Sequence, residues 1–339
     1  MSERVHVRAL VLAVVLLGAA CTLPGPKATR IAPDLSGAAD PPSVGLLQQQ
    51  LSDDARLDDV GVSLLRAAVP QCTARTRRAG FRLANVATFT RPWQASATTL
   101  AFTDTVQVVS VAKGSGADRA GVRAADRVVS IDGVPATPGS RIVEAMRARV
   151  ATAAGAGAPH VTVVVRRDGR ETSHTVPLDS SCALTFMSWR DDAPNAWSDG
   201  RTVAVTTGML AYAHADDDLA VVLAHEIAHA VILGSAERSG RRQLVDASVD
   251  LATSAVALAT DDPWLRMKGA RPQSPASEAD EQRADDLTRQ LLLRTGRAAS
   301  PHDFWRRLQL LDPAGVPYAR LHPLSMTRII RMDDSPTSR

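Results

Sequence analysis

The chain has 339 residues, a length that allows two domains with separate hydrophobic cores. Its composition, 45% hydrophobic and 22% charged residues, is that of an ordinary globular protein. A net charge of +3 and an aromatic content of 4% give no reason to expect a nucleic-acid partner. The basic cluster Arg75–Arg78 is interpreted as a solvated face.

The N-terminus has the layout of an export signal. Arg4 and Arg8 precede a short apolar run that is poorly suited to span a bilayer. The run ends in LGAAC at residues 17–21, which resembles a bacterial lipoprotein signal with Cys21 as the lipidated residue. Small residues before Cys21 also suit ordinary signal peptidase. We therefore expect residues 1–20 to be a signal peptide, and the protein to be exported to the periplasm or cell envelope with a lipid anchor in a membrane.

The region after the signal is expected to be a flexible linker over residues 21–52, because it is rich in Pro, Gly, Ala and Ser. Apolar residues at helical spacing then predict a helix from 53 to 68. Cys72 and Cys182 remain once the first cysteine is lipidated or removed. An oxidising compartment predicts a disulfide between them, with two buried thiols as the alternative.

A β-rich block is expected between residues 101 and 178, where alternating valines predict strands and Gly or Asp-Gly positions end them. The predicted order is a strand from 106, a helical turn at 117–120, a strand at 128–131, a helix at 142–150 and a strand at 161–166. The passage SGADRAGV…DRVVSIDG resembles a bacterial PDZ domain. No clear Gly-aromatic-Gly turn precedes Val106. Binding of peptide ends and a structural or regulatory role therefore both stay open.

Two capped helices are predicted in the C-terminal half. Three consecutive aspartates offer an N-cap and favourable first-turn charge for a helix from about 217 to 233, ended by Gly234. Ser277 begins a second helix, which ends at Gly296. Between them, residues 244–260 predict an apolar helix packed in the core, with a lid or a membrane-contacting segment as alternatives.

The first of these helices carries the motif HEIAH at residues 225–229. Four residues along a helix rotate about 400° and rise about 6 Å, so His225 and His229 lie on one face at a spacing that one ion can bridge. Glu226 projects beside them and can take a proton from water that the metal activates. The pattern predicts a catalytic zinc centre. A buried helix with two satisfied histidines is the alternative.

Two histidines do not complete a zinc site, so a third ligand is required. Ile232 and Ser235 stand where the metzincin class has glycine and histidine, which excludes that class. Glu281 and Asp285 form a Glu-x-x-x-Asp pair on the second helix. Here the sequence resembles the gluzincin family of the HtpX-type proteases and the CAAX prenyl protease. The resemblance implies that Glu281 binds zinc and that Asp285 orients His225.

A further passage extends this resemblance. Asn195, Ala196 and Trp197, followed by a predicted strand at 202–206, resemble the family's Asn-Ala-aromatic segment beside the catalytic cleft. The resemblance implies that this segment binds an extended substrate by strand addition.

Near the C-terminus, His322 with Pro323 and Arg328 resembles the family's closing His-Pro…Arg motif. The resemblance implies that His322 donates a hydrogen bond to the developing oxyanion, with Arg328 bracing the loop or the cleft. The same reach would let a neutral His322 displace the water and silence the resting enzyme. Of these two roles we favour the donor.

Together these features predict an α+β protein. A mainly helical zincin peptidase domain with a small sheet is assigned to residues 53–100 and 179–332, with a PDZ-like β-rich domain at 101–178 inserted into it. The predicted function is that of an endopeptidase with one Zn²⁺ per chain, which hydrolyses protein or peptide substrates of the envelope in quality control. The alternative is a PDZ-type binding or assembly factor with a mainly structural zinc site. The intact Glu226 argues against that alternative, because a structural site needs no base.

Overall fold

A computed structural model describes residues 43–238, 276–297, 300–311, 316–323 and 325–333. The expected signal peptide, Cys21 and the apolar segment at 244–260 lie outside these ranges. None of the helices within the described ranges has the length and apolar character that a membrane span requires.

The described chain begins with a long helix, α1 (Val44–Ala67). Ser43 caps it by accepting a hydrogen bond from the Leu46 N–H, and the buried Leu47 ties the first turns to the rest of the protein. The predicted linker over residues 21–52 is therefore wrong from Val44 onward. The glutamines at 48–50 obscure the apolar periodicity of the helix, because this end of the helix is only partly buried and carries mainly polar side chains.

The elements between Cys72 and Cys182 are mainly strands. In chain order they are β1 (Arg75–Arg78), β2 (Phe81–Ala84), α2 (Arg91–Thr99), β3 (Gln107–Val111), α3 (Gly116–Arg119), β4 (Arg127–Ile131), β5 (Val134–Pro135), α4 (Ile142–Gly155), β6 (His160–Arg167), β7 (Arg170–Pro177) and β8 (Asp179–Cys182).

An antiparallel sheet runs in the order β2-β3-β4-β6-β7, with β5 paired to β4. It encloses what we call the sheet core, whose members are aliphatic and include Val108, Ile131, Met146, Val163 and Val176. Because β2 belongs to this sheet, the domain boundary predicted between residues 100 and 101 separates β2 from its partner β3. The pairing of β2 with β3 is not local, so periodicity within either segment does not reveal it.

Strands β1 and β8 pair with each other in antiparallel fashion. Cys72 and Cys182 are bonded, with their Cα atoms 5.7 Å apart and 110 positions between them in sequence. The interpretation of Arg75–Arg78 as a solvated face is wrong for Arg77 and Arg78, which are half-buried. Pairing with β8 holds β1 against the protein, so only the first arginine of the cluster is exposed.

The remaining elements are mainly helical. They are β9 (Thr185–Trp189), β10 (Ala196–Ser198), β11 (Thr202–Thr206), α5 (Thr207–Tyr212), α6 (Asp216–Arg238), α7 (Glu278–Arg294), α8 (Pro301–Gln309), α9 (Pro317–Leu321) and α10 (Met326–Asp333).

Three of these strands form a sheet in the order β10-β11-β9, with β11 parallel to β9 and antiparallel to β10. Helices α1, α6, α7 and α8 pack with it around what we call the helical core, which includes Leu64, Leu223, Ile227, Leu291 and Trp305. Helix α1 approaches β9 closely at Gly61, where a Cβ atom would lie 2.2 Å from the ring of Phe186.

The predicted α+β class is confirmed, and so is the strand at 202–206. Helix α7 has the expected Ser277 cap, and Gly296 just after it has φ +66. Helix α6 does not end before Gly234 as predicted but continues to Arg238. Glycine lowers helix propensity but ends a helix only where the backbone turns away, and Gly234 stays helical.

Candidate metal centre

Helix α6 runs through the middle of the helical core. Its central turns are buried all round, and its fully buried apolar members are Leu219, Ala220, Val221, Val222, Leu223, Ala224, Ile227 and Ala228. At its exposed start, Asp216–Asp218 pair with Arg56 of α1, Arg307 of α8 and Arg297, which follows α7. These contacts fix the helix in place, so the polar side chains of its buried part have defined positions.

Four side chains converge where α6, α7 and the residue after α9 meet. His225 Nε2 lies 3.0 Å from His229 Nε2. Glu281, from α7, places its two carboxylate oxygens each 3.3 Å from one of these nitrogens. His322 Nδ1 lies 3.3 Å from His225 Nε2 and 3.0 Å from Glu281 Oε1. All four residues are buried, and their candidate ligand atoms lie within 4.8 Å of one another.

These distances fit a tetrahedral metal site. Zinc binds imidazole nitrogen and carboxylate oxygen at about 2.0–2.2 Å, which separates the corners of a tetrahedron by roughly 3.3 Å. The separations of 3.0 and 3.3 Å agree with that geometry. Imidazole nitrogen and carboxylate oxygen are both ligands that zinc accepts. His322 would be the fourth residue able to contact a bound ion.

The surroundings of this cluster favour positive charge at its centre. Burial disfavours a charged His225, but contacts with Asp285 and Glu281 outweigh burial and raise its pKa to about 9. Burial likewise disfavours a charged Glu281, yet the three neighbouring histidines hold the pKa of its carboxyl far below the usual range. A dication among these groups would be strongly stabilised.

Asp285 and Arg328 brace the cluster from the side opposite the metal-facing atoms. Asp285 Oδ1 lies 3.3 Å from His225 Nδ1, and both Asp285 oxygens accept from Arg328, at 2.7 and 2.9 Å. The same guanidinium lies 2.8 Å from Glu281 Oε2 and donates to the Pro323 carbonyl at 2.6 Å. Arg328 is only 1% exposed. One buried cation therefore ties α7 to the loop that carries His322.

Glu226 lies beside the cluster with a partner that the sequence analysis missed. The Tyr318 hydroxyl donates to Glu226 Oε1 at 2.8 Å, and both residues are buried. Burial and the nearby Glu226 carboxylate raise the pKa of Tyr318 well above its usual value, so the hydroxyl keeps its proton. His322 Nε2 lies 3.5 Å from the same Glu226 oxygen. Tyr318 precedes His322 by four residues, and this spacing could have suggested that the two side chains lie on the same side of a helix.

An aromatic wall closes this side of the cluster. Trp305 stacks on Tyr318 with ring centroids 5.5 Å apart and an interplanar angle of 6°. The Trp305 ring also packs edge-to-face on His225, at 5.2 Å, and on Phe304, at 5.2 Å. These rings restrict the rotamers of the tyrosine and the histidine, and they reduce the access of water from this direction.

Asn195, Ala196 and Trp197 lie at the outer strand of the small sheet, next to α6. Their side chains are all buried, and Trp197 packs edge-to-face on Trp189 at 5.4 Å. The Trp197 side chain is therefore a packing residue, and only the backbone edge of β10 could meet a substrate. Pro194, directly before this segment, accepts from the Tyr318 N–H at 3.4 Å.

Comparison with known protein families gives two matches. Residues 174–335 match the model described as Peptidase family M48. Residues 107–167, from the start of β3 to the end of β6, match the model described as PDZ domain. The comparison with curated proteins finds no match.

Solved structures similar to parts of the chain include the PDZ domain of HtrA3 bound to a phage-derived ligand (FGRWV). It is 20% identical, with a TM-score of 0.22, and the match covers 31% of this chain and 88% of that one. The HtrA-type protease AlgW with a decapeptide is 21% identical, with a TM-score of 0.24. That match covers 31% of this chain and 30% of AlgW, so this chain spans under a third of AlgW.

Proposed function

Because the chain belongs to peptidase family M48 and carries a PDZ domain, we propose that it is an endopeptidase with one zinc ion that acts on envelope proteins. The observation that carries this proposal is the buried convergence of His225, His229 and Glu281, with Glu226 beside them. A role in protein quality control is part of the proposal, and it rests on the combination of peptidase and PDZ domain alone.

In this proposal, some residues of the cluster bind the ion and another transfers a proton. His225, His229 and Glu281 would hold zinc, which supplies a Lewis acid that lowers the pKa of water and polarises the scissile carbonyl. Glu226 accepts a proton from the attacking water and returns it to the leaving amine. The Tyr318 hydroxyl holds one Glu226 oxygen, so the other oxygen is the one left to meet the water.

Asp285 and Arg328 are proposed to position the ligands. Asp285 orients the His225 ring through its Nδ1 side, and Arg328 fixes both Asp285 and Glu281. Such outer contacts typically change metal affinity or activity by about 10- to 100-fold.

His322 has two proposed roles, and its position supports one of them in this conformation. Its Nδ1 lies 3.3 Å from His225 Nε2 and 3.0 Å from Glu281 Oε1, so His322 would complete the ligand set around a bound ion and exclude water from it. We propose that His322 is this inhibitory ligand in the resting state. The loop then moves for His322 to act as the oxyanion donor implied by the resemblance.

A second candidate function is favoured by the same observation. A site closed by four protein ligands is typical of structural zinc, which would suit a PDZ-type binding or assembly factor. Against it stands Glu226, a buried carboxylate beside the cluster with an oriented tyrosine donor and no structural task.

Substrate binding is proposed for the backbone edge of β10 at Asn195–Trp197, by addition of an extended peptide strand. Export, lipidation of Cys21 and anchoring in the envelope membrane complete the proposal, and they rest on residues 1–21 of the sequence. We also propose that the PDZ domain is an insertion in the peptidase, held at its base by β1, β8 and the Cys72–Cys182 bond.

The proposal is tested with purified full chain, measuring bound metal by mass spectrometry and hydrolysis of unfolded casein. We expect about one zinc per chain and casein cleavage that a chelator abolishes and added zinc restores. Glu281→Ala should lower zinc affinity by a factor of about 100 or more, because it opens the ligand set. Glu278→Ala, an exposed position on the same helix, is the matched control. A zinc-replete chain without any hydrolysis would favour the structural alternative.

A further inference from the structure

The two ring nitrogens of His322 have different surroundings. Nδ1 faces the metal cluster, whereas Nε2 is buried without a hydrogen-bond partner in the described part of the chain. When Nδ1 contacts a bound ion, the neutral ring carries its proton on Nε2. The Nε2–H group is then a buried donor that lacks an acceptor. Such a group costs free energy, so it weakens the hold of His322 on the site.

An acceptor close to this nitrogen already has another donor. His322 Nε2 lies 3.5 Å from Glu226 Oε1, too far for a good hydrogen bond. The same oxygen accepts from the Tyr318 hydroxyl at 2.8 Å. The rings of Tyr318 and His322 lie side by side, with centroids 4.4 Å apart and 36° between their planes. The two donors therefore approach Glu226 Oε1 from the same side, and the hydroxyl keeps Nε2–H from reaching it.

Tyr318 is held by contacts that His322 does not share. The Tyr318 ring is completely buried and stacks on Trp305 with an interplanar angle of 6°. His322 stands at the C-terminal cap of α9, where φ is −120 and ψ is 75, outside the helical region. Its N–H donates to the Tyr318 carbonyl at 2.9 Å, which is its backbone tie to this helix. A change of backbone conformation at the cap would move the His322 ring while Tyr318 stays on Glu226.

We propose that Tyr318 is a positioning residue that keeps His322 releasable from the resting site. By occupying Glu226 Oε1, its hydroxyl denies the Nε2–H group an acceptor, so the resting arrangement opens more readily. This inference rests on the proposed function, in which His322 is the resting-state ligand. It goes beyond the role of Tyr318 in holding the base, because it predicts that loss of the hydroxyl strengthens the inhibited state.

The first test is the rate at which the zinc-loaded full chain releases zinc to an excess of a chromogenic chelator. Tyr318→Phe removes the hydroxyl and keeps the ring on Trp305, so Nε2–H can bond to Glu226 and zinc release should slow by about 10-fold. Zinc release is measured because hydrolysis would fall for either role of Tyr318. Tyr212→Phe, at the second of the two tyrosines of the chain, is the matched control and should leave the rate unchanged.

A double-mutant cycle shows whether the effect passes through His322. His322→Ala should release zinc faster than the parent, because a ligand is lost. Adding Tyr318→Phe to this variant should change the rate no further, since the competing donor is gone. A purely structural role of Tyr318 would instead alter zinc release whether or not His322 is present.

A second measurement needs no tyrosine variant. In the zinc-loaded parent labelled with ¹⁵N-histidine, the Nε2–H signal that His322→Ala removes should have the proton shift of an imidazole without a carboxylate partner. A parent signal at the position of a carboxylate-bonded proton would overturn the proposal. Unchanged or faster zinc release by folded Tyr318→Phe, or an effect that persists without His322, would overturn it too. A parent chain that binds no zinc would overturn the proposed function as well.

Discussion

The two cores of this molecule differ in what they enclose. The sheet core is built from aliphatic side chains, which stabilise the fold through burial alone. Among the described residues, the helical core surrounds a cluster of buried ionisable side chains that includes His225, Glu226, His229, Glu281, Asp285, His322 and Arg328. Burying such groups is unfavourable unless each has a partner, and here the groups are partners of one another. The helical core therefore loses stability to maintain a low-dielectric site, and the sheet core does not.

The largest effect is expected for Glu226→Gln, which should remove hydrolysis without changing the structure of the helical core. Glu226→Gln removes the base but no proposed ligand, so hydrolysis should fall by about 10²- to 10⁴-fold while zinc content and thermal stability stay unchanged. Casein cleavage, metal analysis and a melting curve on the same preparation measure all three. Normal turnover by this variant would contradict the mechanism.

Removing the disulfide tests whether the bond between Cys72 and Cys182 holds the sheet core to the helical core. Both cysteines belong to the helical core, and the bond closes the segment that contains the sheet core. Replacing Cys72 and Cys182 by serine should cost about 4–5 kcal/mol in the chain-entropy model. Denaturant unfolding, with the oxidised parent as control, measures the difference. A change below about 1 kcal/mol would show that other contacts hold the two cores together.

A matched pair of substitutions compares the two cores directly. Arg328→Met leaves two carboxylates buried without their cation and should destabilise the protein by about 3–5 kcal/mol. Val163→Ala in the sheet core removes only methyl groups and should cost about 1–3 kcal/mol. Excess zinc should recover part of the loss for Arg328→Met and none for Val163→Ala. Equal costs with no zinc dependence would remove the distinction between the cores.

The sign of the effect of His322→Ala distinguishes the two roles of this residue. As an inhibitory ligand it should limit the resting enzyme, so His322→Ala would raise the initial rate. As an oxyanion donor its loss should lower the rate by about 10²-fold. Single-turnover measurements separate the two, because activation by loop movement precedes the chemical step. An unchanged rate would eliminate both roles.

The sequence was most informative where function depends on spacing along one helix. His225, Glu226 and His229 follow from one motif, and Glu281 and Asp285 from another. The distances between these side chains, and the approach of His322 Nδ1 to both His225 and Glu281, came only with the tertiary structure. Tyr318 was missed because its four-residue spacing from His322 does not by itself distinguish a tyrosine that meets Glu226 from one that fills a core. The membership of β2 in the larger sheet was missed for the same reason, since strand pairing is not local.

The edge contact of Trp305 with His225 offers a fluorescence signal for the proposed metal site. The indole is completely buried and in edge contact with a ring proposed to bind the ion, so its emission should respond to what occupies the site. A paramagnetic substitute such as Co²⁺ would quench this fluorescence, while Zn²⁺ would not. Loading of the site and its exchange kinetics could therefore be followed in solution without a label and without any substrate.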